Sequence, residues 1–362
     1  MMKTHLTRML EAMKDAGMEA AIVTSEINQR YLTGFAFTDG YVLVTPARSY
    51  LITDFRYVEA AHACPGAKGF EILTPKDGML SEIAALLARA GVGSVAVEEA
   101  TLSLADFDRI RDRLPGLTIT QNASALIDGL RLLKDEGEIA TMQRAQDLTD
   151  AAFTHILGWI TPDKTEVEVA LELEFFMRSH GAESVAFDTI AVSGTASSMP
   201  HGVPRPVKLE KGFLTMDYGA RVDGYCSDMT RTIVIGKADE DMRRLYTTVL
   251  RAQTEALAAC REGAGCRALD RIARDIIEDA GYHGAFGHSL GHGAGMYIHE
   301  SPRLSPAAPE DSVLARGHVV TFEPGIYLAG KYGCRIEDMV AVLPDGTVHD
   351  FAHSPKELIE IC

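Results

Sequence analysis

Two stretches in the second half of the chain each carry a pair of acids on what reads as a β-hairpin, and that arrangement narrows the folds open to it. The first is LTMDYGARVDGYCSDMTRTIVI, Leu214 to Ile235, with Asp217 and Asp228. Apolar and β-branched residues flank Arg221-Val222-Asp223-Gly224, and Asp-Gly between such runs is a strong turn signal. In an antiparallel hairpin the numbers of directly paired residues have a constant sum, which is odd for a two-residue loop. Asp217 and Asp228 meet that parity with either candidate loop, Val222-Asp223 or Asp223-Gly224, so both acids share one face. A slip of one residue would send them to opposite faces.

The second stretch is HVVTFEPGIYLAGKYGCRIEDMVAVL, His318 to Leu343, with Glu323 and Glu337. Here the parity is even, so a three-residue loop or a bulge is required. A loop at Ala329-Gly330-Lys331 fits, with Gly330 able to take positive φ, and it sets Glu323 opposite Glu337. Pro324 has no N–H for a ladder bond, which predicts a bulge or strand end there.

Between the two lies FGHSLGHGAGMYIHE, Phe286 to Glu300. Gly287, Gly291, Gly293 and Gly295 argue against a helix despite the four-residue step from His288 to His292, and they would let the backbone approach a ligand closely. His299 follows, and His201 sits in the stiff loop Pro200-His201-Gly202-Val203-Pro204. Taken singly, an Asp near a turn is usually solvated or turn-capping, and a lone His is usually a hydrogen-bonded structural group. Together, Asp217, Asp228, His292, Glu323 and Glu337 form a set that cannot share a dry pocket without positive charge, because buried carboxylates repel and lose hydration. An oxygen-rich set with one nitrogen suits Mn, Co, Fe or Zn, in pairs that activate water.

The 362 residues suffice for two domains, and 46% hydrophobic content allows a substantial core. A formal charge of −16 disfavours nucleic acid or an anionic membrane as the main partner. The cysteines, Cys64, Cys226, Cys260, Cys266, Cys334 and Cys362, form no CxxC pair and read as free thiols in a reducing compartment, with Cys226 a packed thiol beside Asp228. Met1 to Gly17 mixes charges with apolar residues at helical spacing, unlike a signal peptide, and no apolar run reaches transmembrane length, so a cytoplasmic protein is expected.

Residues 1–125 read as an α/β domain. Its strand candidates are Ala20 to Thr24, Tyr41 to Thr45, Tyr50 to Thr53, Phe70 to Leu73 and Ser94 to Val97. Helical patterns run near Leu6 to Ala16, Tyr57 to Ala63, Leu80 to Ala90 and Leu104 to Leu114, and the junction is expected in Asn122 to Asp128. Residues 126–362 show one element order twice: a helix pair, strand material, then an acidic hairpin. The helix pairs are Glu136 to Ile160 with Thr165 to Gly181, and Glu240 to Arg261 with Ala268 to Ala280. Thr165 with Glu168 forms a capping-box pattern. The order predicts an α+β domain of two similar halves with the acids at the seam.

FDTIAVSG (187–194), PHGVP (200–204), MDYGARVDGYCSDMTRT (216–232), GHSLGHGAGMYIHE (287–300), TFEPGIY (321–327) and RIEDMV (335–340) resemble, in this order, the pita-bread metallopeptidases, which include Xaa-Pro aminopeptidase, Xaa-Pro dipeptidase and methionine aminopeptidase. RYLTGF (30–35) and ITDFRYVEAA (52–61) resemble the creatinase/prolidase-like amino-terminal domain of the proline-directed members. The resemblance implies two divalent metal ions, manganese first, with cobalt, zinc or iron as alternatives. Asp217, Asp228, His292, Glu323 and Glu337 would hold them, with Asp228 and Glu337 bridging. It further implies Glu323 as proton carrier, His201 and His299 at the oxyanion, and His288, His299, Tyr297 and Arg335 around the substrate. Creatine hydrolysis is disfavoured, since creatinase-like relatives lack the metal set. The expected activity is removal of an N-terminal residue before proline from peptides, with Xaa-Pro dipeptidase and a catalytically silent pita-bread scaffold as alternatives. The resemblance also implies a homodimer.

Overall fold

The computed structural model describes residues 3–362, and the chain divides into two compact units between Arg131 and Leu132. The first unit is a six-stranded sheet flanked by helices. Its strands are β1 (Ala21–Val23), β2 (Gly40–Val44), β3 (Ser49–Thr53), β4 (Glu71–Leu73), β5 (Ser94–Val97) and β6 (Thr118–Thr120), in the order β4-β3-β2-β1-β5-β6. The helices are α1 (His5–Asp15), α2 (Glu26–Thr33), α3 (Val58–Ala63), α4 (Met79–Ala90), α5 (Leu104–Arg113) and α6 (Ala123–Leu132). Ile22, Leu43, Ile52, Val95 and Val97 of the sheet bury against Ile83 and Leu87 of α4 and Ile110 of α5. Five strands and four helices lie where hydrophobic periodicity placed them. It missed α2, which buries the polar Asn28, Gln29 and Thr33 and so has no apolar stripe, and β6, a short edge strand. The expected junction at 122–128 is mostly occupied by α6.

In the second unit the helix pair, strand and hairpin order recurs as the sequence implies. The first half holds α7 (Glu136–Trp159), α8 (Glu166–Ser179), β7 (Ser184–Val185), β8 (Ile190–Ser193), β9 (Gly212–Tyr218), β10 (Ala220–Val222), β11 (Tyr225–Cys226) and β12 (Met229–Ile235). The second holds α9 (Glu240–Ala258), α10 (Cys266–Asp279), β13 (Gly291–Gly293), β14 (Glu300–Leu304), β15 (Val319–Phe322), β16 (Gly325–Leu328), β17 (Tyr332–Arg335), β18 (Asp338–Val342), β19 (Val348–Asp350) and β20 (Glu360–Ile361). The capping box that starts α8 is present, with Thr165 Oγ1 accepting from the Glu168 N–H and Glu168 accepting from the Thr165 N–H. One sheet runs β20-β12-β9-β8 and the other β14-β13-β15-β18-β19, so β8-β9-β12 and β13-β15-β18 correspond. Each sheet buries one face against its own helix pair: Leu214, Met216 and Ile233 against α7 and α8, Val320 and Val340 against α9 and α10.

Both hairpins break at their acids. The turn of the first is Asp223-Gly224, with Val222 paired to Tyr225 and positive φ at both turn residues (48° and 88°), as a type I′ turn requires. Beyond Gly219 the chain enters a separate three-stranded sheet, β11-β10-β7. A Cβ at Gly219 would lie 1.9 Å from the Ser227 carbonyl oxygen, so only glycine allows the crossing. The second hairpin has the three-residue loop Ala329-Gly330-Lys331, with Leu328 paired to Tyr332. β15 ends at Phe322, before Glu323-Pro324, and β16 starts at Gly325, so the strand does end at the proline. Among the described residues no helix is long and apolar enough to cross a membrane.

Candidate metal centre

Asp217 lies at the end of β9 and Asp228 just before β12, on the shared face that parity requires. The ladder pairs Phe322 with Asp338 and Gly325 with Arg335, which brackets Glu323 and Glu337 in the same register. β13 carries His292 into the same place. A Cβ at Gly291 would come within 1.9 Å of the Thr321 carbonyl oxygen. That glycine is thus needed for close approach of two strands, rather than for approach to a ligand as the sequence suggested.

The sequence-predicted donors converge. One ligand atom each from Asp228, His292 and Glu337 lie within 4.8 Å of one another, and all three side chains are buried. His292 Nε2 lies 3.5 Å from Asp228 Oδ2 and 3.4 Å from Glu323 Oε1. His292 Nδ1 is 3.0 Å from the Gly293 carbonyl oxygen, which makes Nδ1 the donor and leaves the Nε2 lone pair facing the acids. Arg335 donates to Asp217 Oδ2 at 2.6 Å and to Thr230 Oγ1 at 3.0 Å, and Thr230 donates onward to Glu337 Oε2 at 2.6 Å. Asp217 Oδ1 is buried with no partner.

The electrostatics are those of a site that wants positive charge. Burial pushes Asp228 well above the usual carboxylate range, and the Asp217 and Glu323 charges add to it. Burial likewise raises Glu337, helped by Asp228, and raises Glu323 to about 8. Burial lowers His292 to about 3 and His288 to about 4, so both imidazoles are neutral near pH 7.

These residues line a cavity of about 1010 Å³, together with His201, His288, His299, Arg303, Tyr327, Arg335 and the Phe187–Ile190 segment. His288 Nε2 meets the Tyr327 hydroxyl at 2.9 Å, and that hydroxyl accepts from Arg335 at 2.8 Å. His201 and His299 are exposed on the wall, and the His299 ring stands edge-on to His292 at 4.4 Å. Tyr297 is the exception. The tight turn through Ala294–Ile298, closed by Gly295 N–H donating to the Tyr297 carbonyl, puts Ile298 and His299 on the cavity wall and leaves Tyr297 off it. Tyr327 lines the wall in its stead, with room made for its ring by Gly333 directly opposite. Cys226 is a buried thiol, pushed up to about 12 by burial, and all six cysteines are free.

The family comparisons agree with this geometry. The model of metallopeptidase family M24 matches residues 140–344, and that of the creatinase/prolidase N-terminal domain matches residues 5–133. The chain belongs to metallopeptidase family M24. An uncharacterised peptidase of Bacillus subtilis is 38% identical over 95% of this chain and 96% of its own length. The Xaa-Pro dipeptidase of Pyrococcus furiosus is 34% identical over 95% and 97%. Among solved structures, an Xaa-Pro dipeptidase from Bacillus anthracis has a TM-score of 0.93 at 40% identity, covering 99% of each chain. An X-Pro aminopeptidase from Thermotoga maritima has a TM-score of 0.90 at 33% identity, covering 97% and 100%.

The second unit is thus the M24 pita-bread domain, and this chain is a metal-dependent peptidase that also carries a creatinase-type N-terminal domain. M24 metallopeptidases use a dinuclear divalent metal centre, and the donor set fits one. Two buried acids held above their ordinary range, a neutral imidazole with a free Nε2 and an unpartnered buried carboxylate oxygen are all relieved by cations. Sequence reasoning missed Thr230, Tyr327 and Arg303. Parity puts Thr230 on the acid-bearing face, and TFEPGIY contains Tyr327. Arg303 gave no signal, because its place opposite His292 depends on a bulge between His292 and Gly293.

Proposed function

We propose that this metallopeptidase is an Xaa-Pro dipeptidase, cleaving dipeptides with proline in second position. The observation that carries the reading is Arg303. It pairs with His292 in the β13–β14 ladder, so its side chain leaves the sheet on the face that bears the metal-site imidazole. It lines the cavity, and among the described residues it has no hydrogen bond or ion pair. An unengaged guanidinium suits a terminal carboxylate, which a dipeptide presents one residue past the scissile bond. A longer peptide has an uncharged amide there. The names of the relatives lean the same way, so removal of the first residue from longer peptides, which the sequence favoured, becomes the alternative. A silent scaffold is disfavoured because all five donors are present.

Asp217, Asp228, His292, Glu323 and Glu337 would hold two divalent ions, with Mn ahead of Co, Zn or Fe, and bound there these would make a water nucleophilic and polarise the scissile carbonyl. Glu323 takes up a proton at a carboxylate oxygen and delivers it to the leaving nitrogen of proline. That delivery matters because the scissile amide is tertiary and lacks an N–H. His201 and His299 hydrogen-bond the developing oxyanion. His288 and Tyr327 wall the ring pocket, with Arg335 holding the Tyr327 hydroxyl.

The test compares Ala-Pro with Ala-Pro-Ala on protein supplied with Mn, Co or Zn. The dipeptidase reading expects Ala-Pro to be favoured roughly thirtyfold or more, the worth of one charge-assisted contact. Equal turnover of the tripeptide would return the aminopeptidase reading to first place.

A further inference from the structure

The cavity wall beside the metal site carries a second unengaged charge, of the other sign. Asp188 and Thr189 precede β8, and with Ile190 they line the same cavity as the acids and Arg303. Asp188 is exposed there, and among the described residues it has no hydrogen bond or ion pair. An exposed Asp in a loop is ordinarily just solvated. Here, among the described residues that line the cavity, Asp188 is the one carboxylate outside the five metal-site donors, on the segment that leads into the strand beside Asp217.

The strand register locates this wall relative to the chemistry. Ile190 pairs directly with Asp217. Asp188 therefore stands two residues, at most about 7 Å of backbone, from the position facing a metal-site acid. On the dipeptide reading, the free amine of the first residue sits near Asp217 and its side chain extends away from the scissile bond. The four-carbon stem of lysine, or an arginine, covers such a span. Its charged end would meet the Asp188 carboxylate. An acidic first residue would meet Asp188 with like charge.

We propose that Asp188 selects a cationic side chain on the residue before the scissile bond, so that Lys-Pro and Arg-Pro are the favoured substrate class. This rests on the Xaa-Pro dipeptidase reading. It adds a specificity-determining residue that touches substrate but takes no part in bond cleavage.

The experiment measures kcat and KM for Lys-Pro, Ala-Pro and Glu-Pro with the metal-loaded full-length protein and two variants, Asp188→Asn and Asp188→Lys. For the unaltered protein, kcat/KM for Lys-Pro should exceed that for Ala-Pro roughly fivefold or more, chiefly through KM, with Glu-Pro last. In Asp188→Asn the Lys-Pro to Ala-Pro ratio should fall toward one. In Asp188→Lys the order of Lys-Pro and Glu-Pro should reverse. A ratio near one in the unaltered protein overturns the proposal. So does a loss in Asp188→Asn that is equal for all three dipeptides, which would put Asp188 at the amine common to them. If Ala-Pro is not cleaved at all, the dipeptidase reading fails by itself. The charge preference is then read from Lys-Pro-Ala against Ala-Pro-Ala, where parity overturns it and a Lys preference abolished in Asp188→Asn sustains it.

Discussion

Arg335 donates to Asp217 Oδ2 at 2.6 Å while the other oxygen of that carboxylate, Oδ1, is buried without a partner. The same guanidinium reaches Thr230 Oγ1 and the Tyr327 hydroxyl, so one planar fork holds an acid from β9, a hydroxyl from β12 and a phenol from β16. Lysine offers a point charge and cannot make all three bonds at once. Arg335→Lys should weaken metal affinity about 10- to 100-fold, the usual effect of losing a group that orients a ligand. Competition with a chromophoric chelator reads this directly. Unchanged affinity would show that Asp217 is held by something else.

Metal removal should make stability depend on pH in a set direction. In chelated protein, burial keeps Glu323 protonated up to about pH 8, and Asp228 and Glu337 are also raised. In the unfolded chain these carboxyls ionise near pH 4. The fold then binds more protons than the unfolded chain, so its stability falls as pH rises. His292 and His288, lowered to about 3 and 4, act oppositely, but only below about pH 6.5, where the unfolded chain protonates its histidines. Between roughly pH 6.5 and 8 only the carboxyls remain. The Tm of chelated protein should fall across that window, and added Mn or Zn should raise Tm more at pH 8 than at pH 6.5. A Tm that climbs with pH in chelator would contradict the buried-acid account.

Much of this was legible in the sequence, for reasons tied to particular residues. Strand pairing obeys integer arithmetic, so the positions of Asp217 and Asp228, and of Glu323 and Glu337, on shared faces followed from turn residues alone. Tyr297 and Arg303 show where that reasoning stops. Both lie on the stretch after His292, where a tight turn and a bulge reset the alternation, and no local residue pattern announces either. Helix α2 escaped because Asn28 and Gln29 face inward to tertiary hydrogen bonds, and Asn28 donates to Glu98 Oε1 across the sheet end at 2.6 Å. Such partners are distant in sequence and invisible to periodicity.

Arg303→Met should separate dipeptides from tripeptides. Methionine keeps much of the aliphatic bulk and removes the charge. If the guanidinium binds the terminal carboxylate, KM for Ala-Pro should rise by the worth of a charge-assisted bond, about 2–3 kcal/mol or roughly 30- to 150-fold. Residual turnover of Ala-Pro-Ala should change far less. Parallel losses on both substrates would mean that Arg303 acts on the site's field and not on the carboxylate.

Arg231 ties the two halves together behind the metal site. Its guanidinium is 1% exposed, donates to the carbonyl oxygens of Thr230 and Glu337 at 3.0 and 2.6 Å, and pairs with Asp338 at 2.7 Å. It also donates to the carbonyl oxygens of Ser354 and Pro355, and so pins the C-terminal segment. Asp338 is fully buried and is further held by Gln253 and Lys356. Replacing Arg231 by Met would leave Asp338 with Lys356 as its remaining cation and strand the buried carbonyls of Glu337 and Ser354. Breaking a buried pair from one side costs about 3–5 kcal/mol, and denaturant unfolding of chelated protein should show a loss of that size. The double variant Arg231→Met/Asp338→Leu should recover part of it, because a buried acid left with one of its two cations is gone. Metal affinity should stay low in both, since neither restores the Arg231 bond to the Glu337 carbonyl, and only the Glu337 N–H to the Thr230 carbonyl is left to hold that backbone. Recovered stability with recovered metal affinity would refute a role for Arg231 in placing Glu337 and leave it only a structural tie.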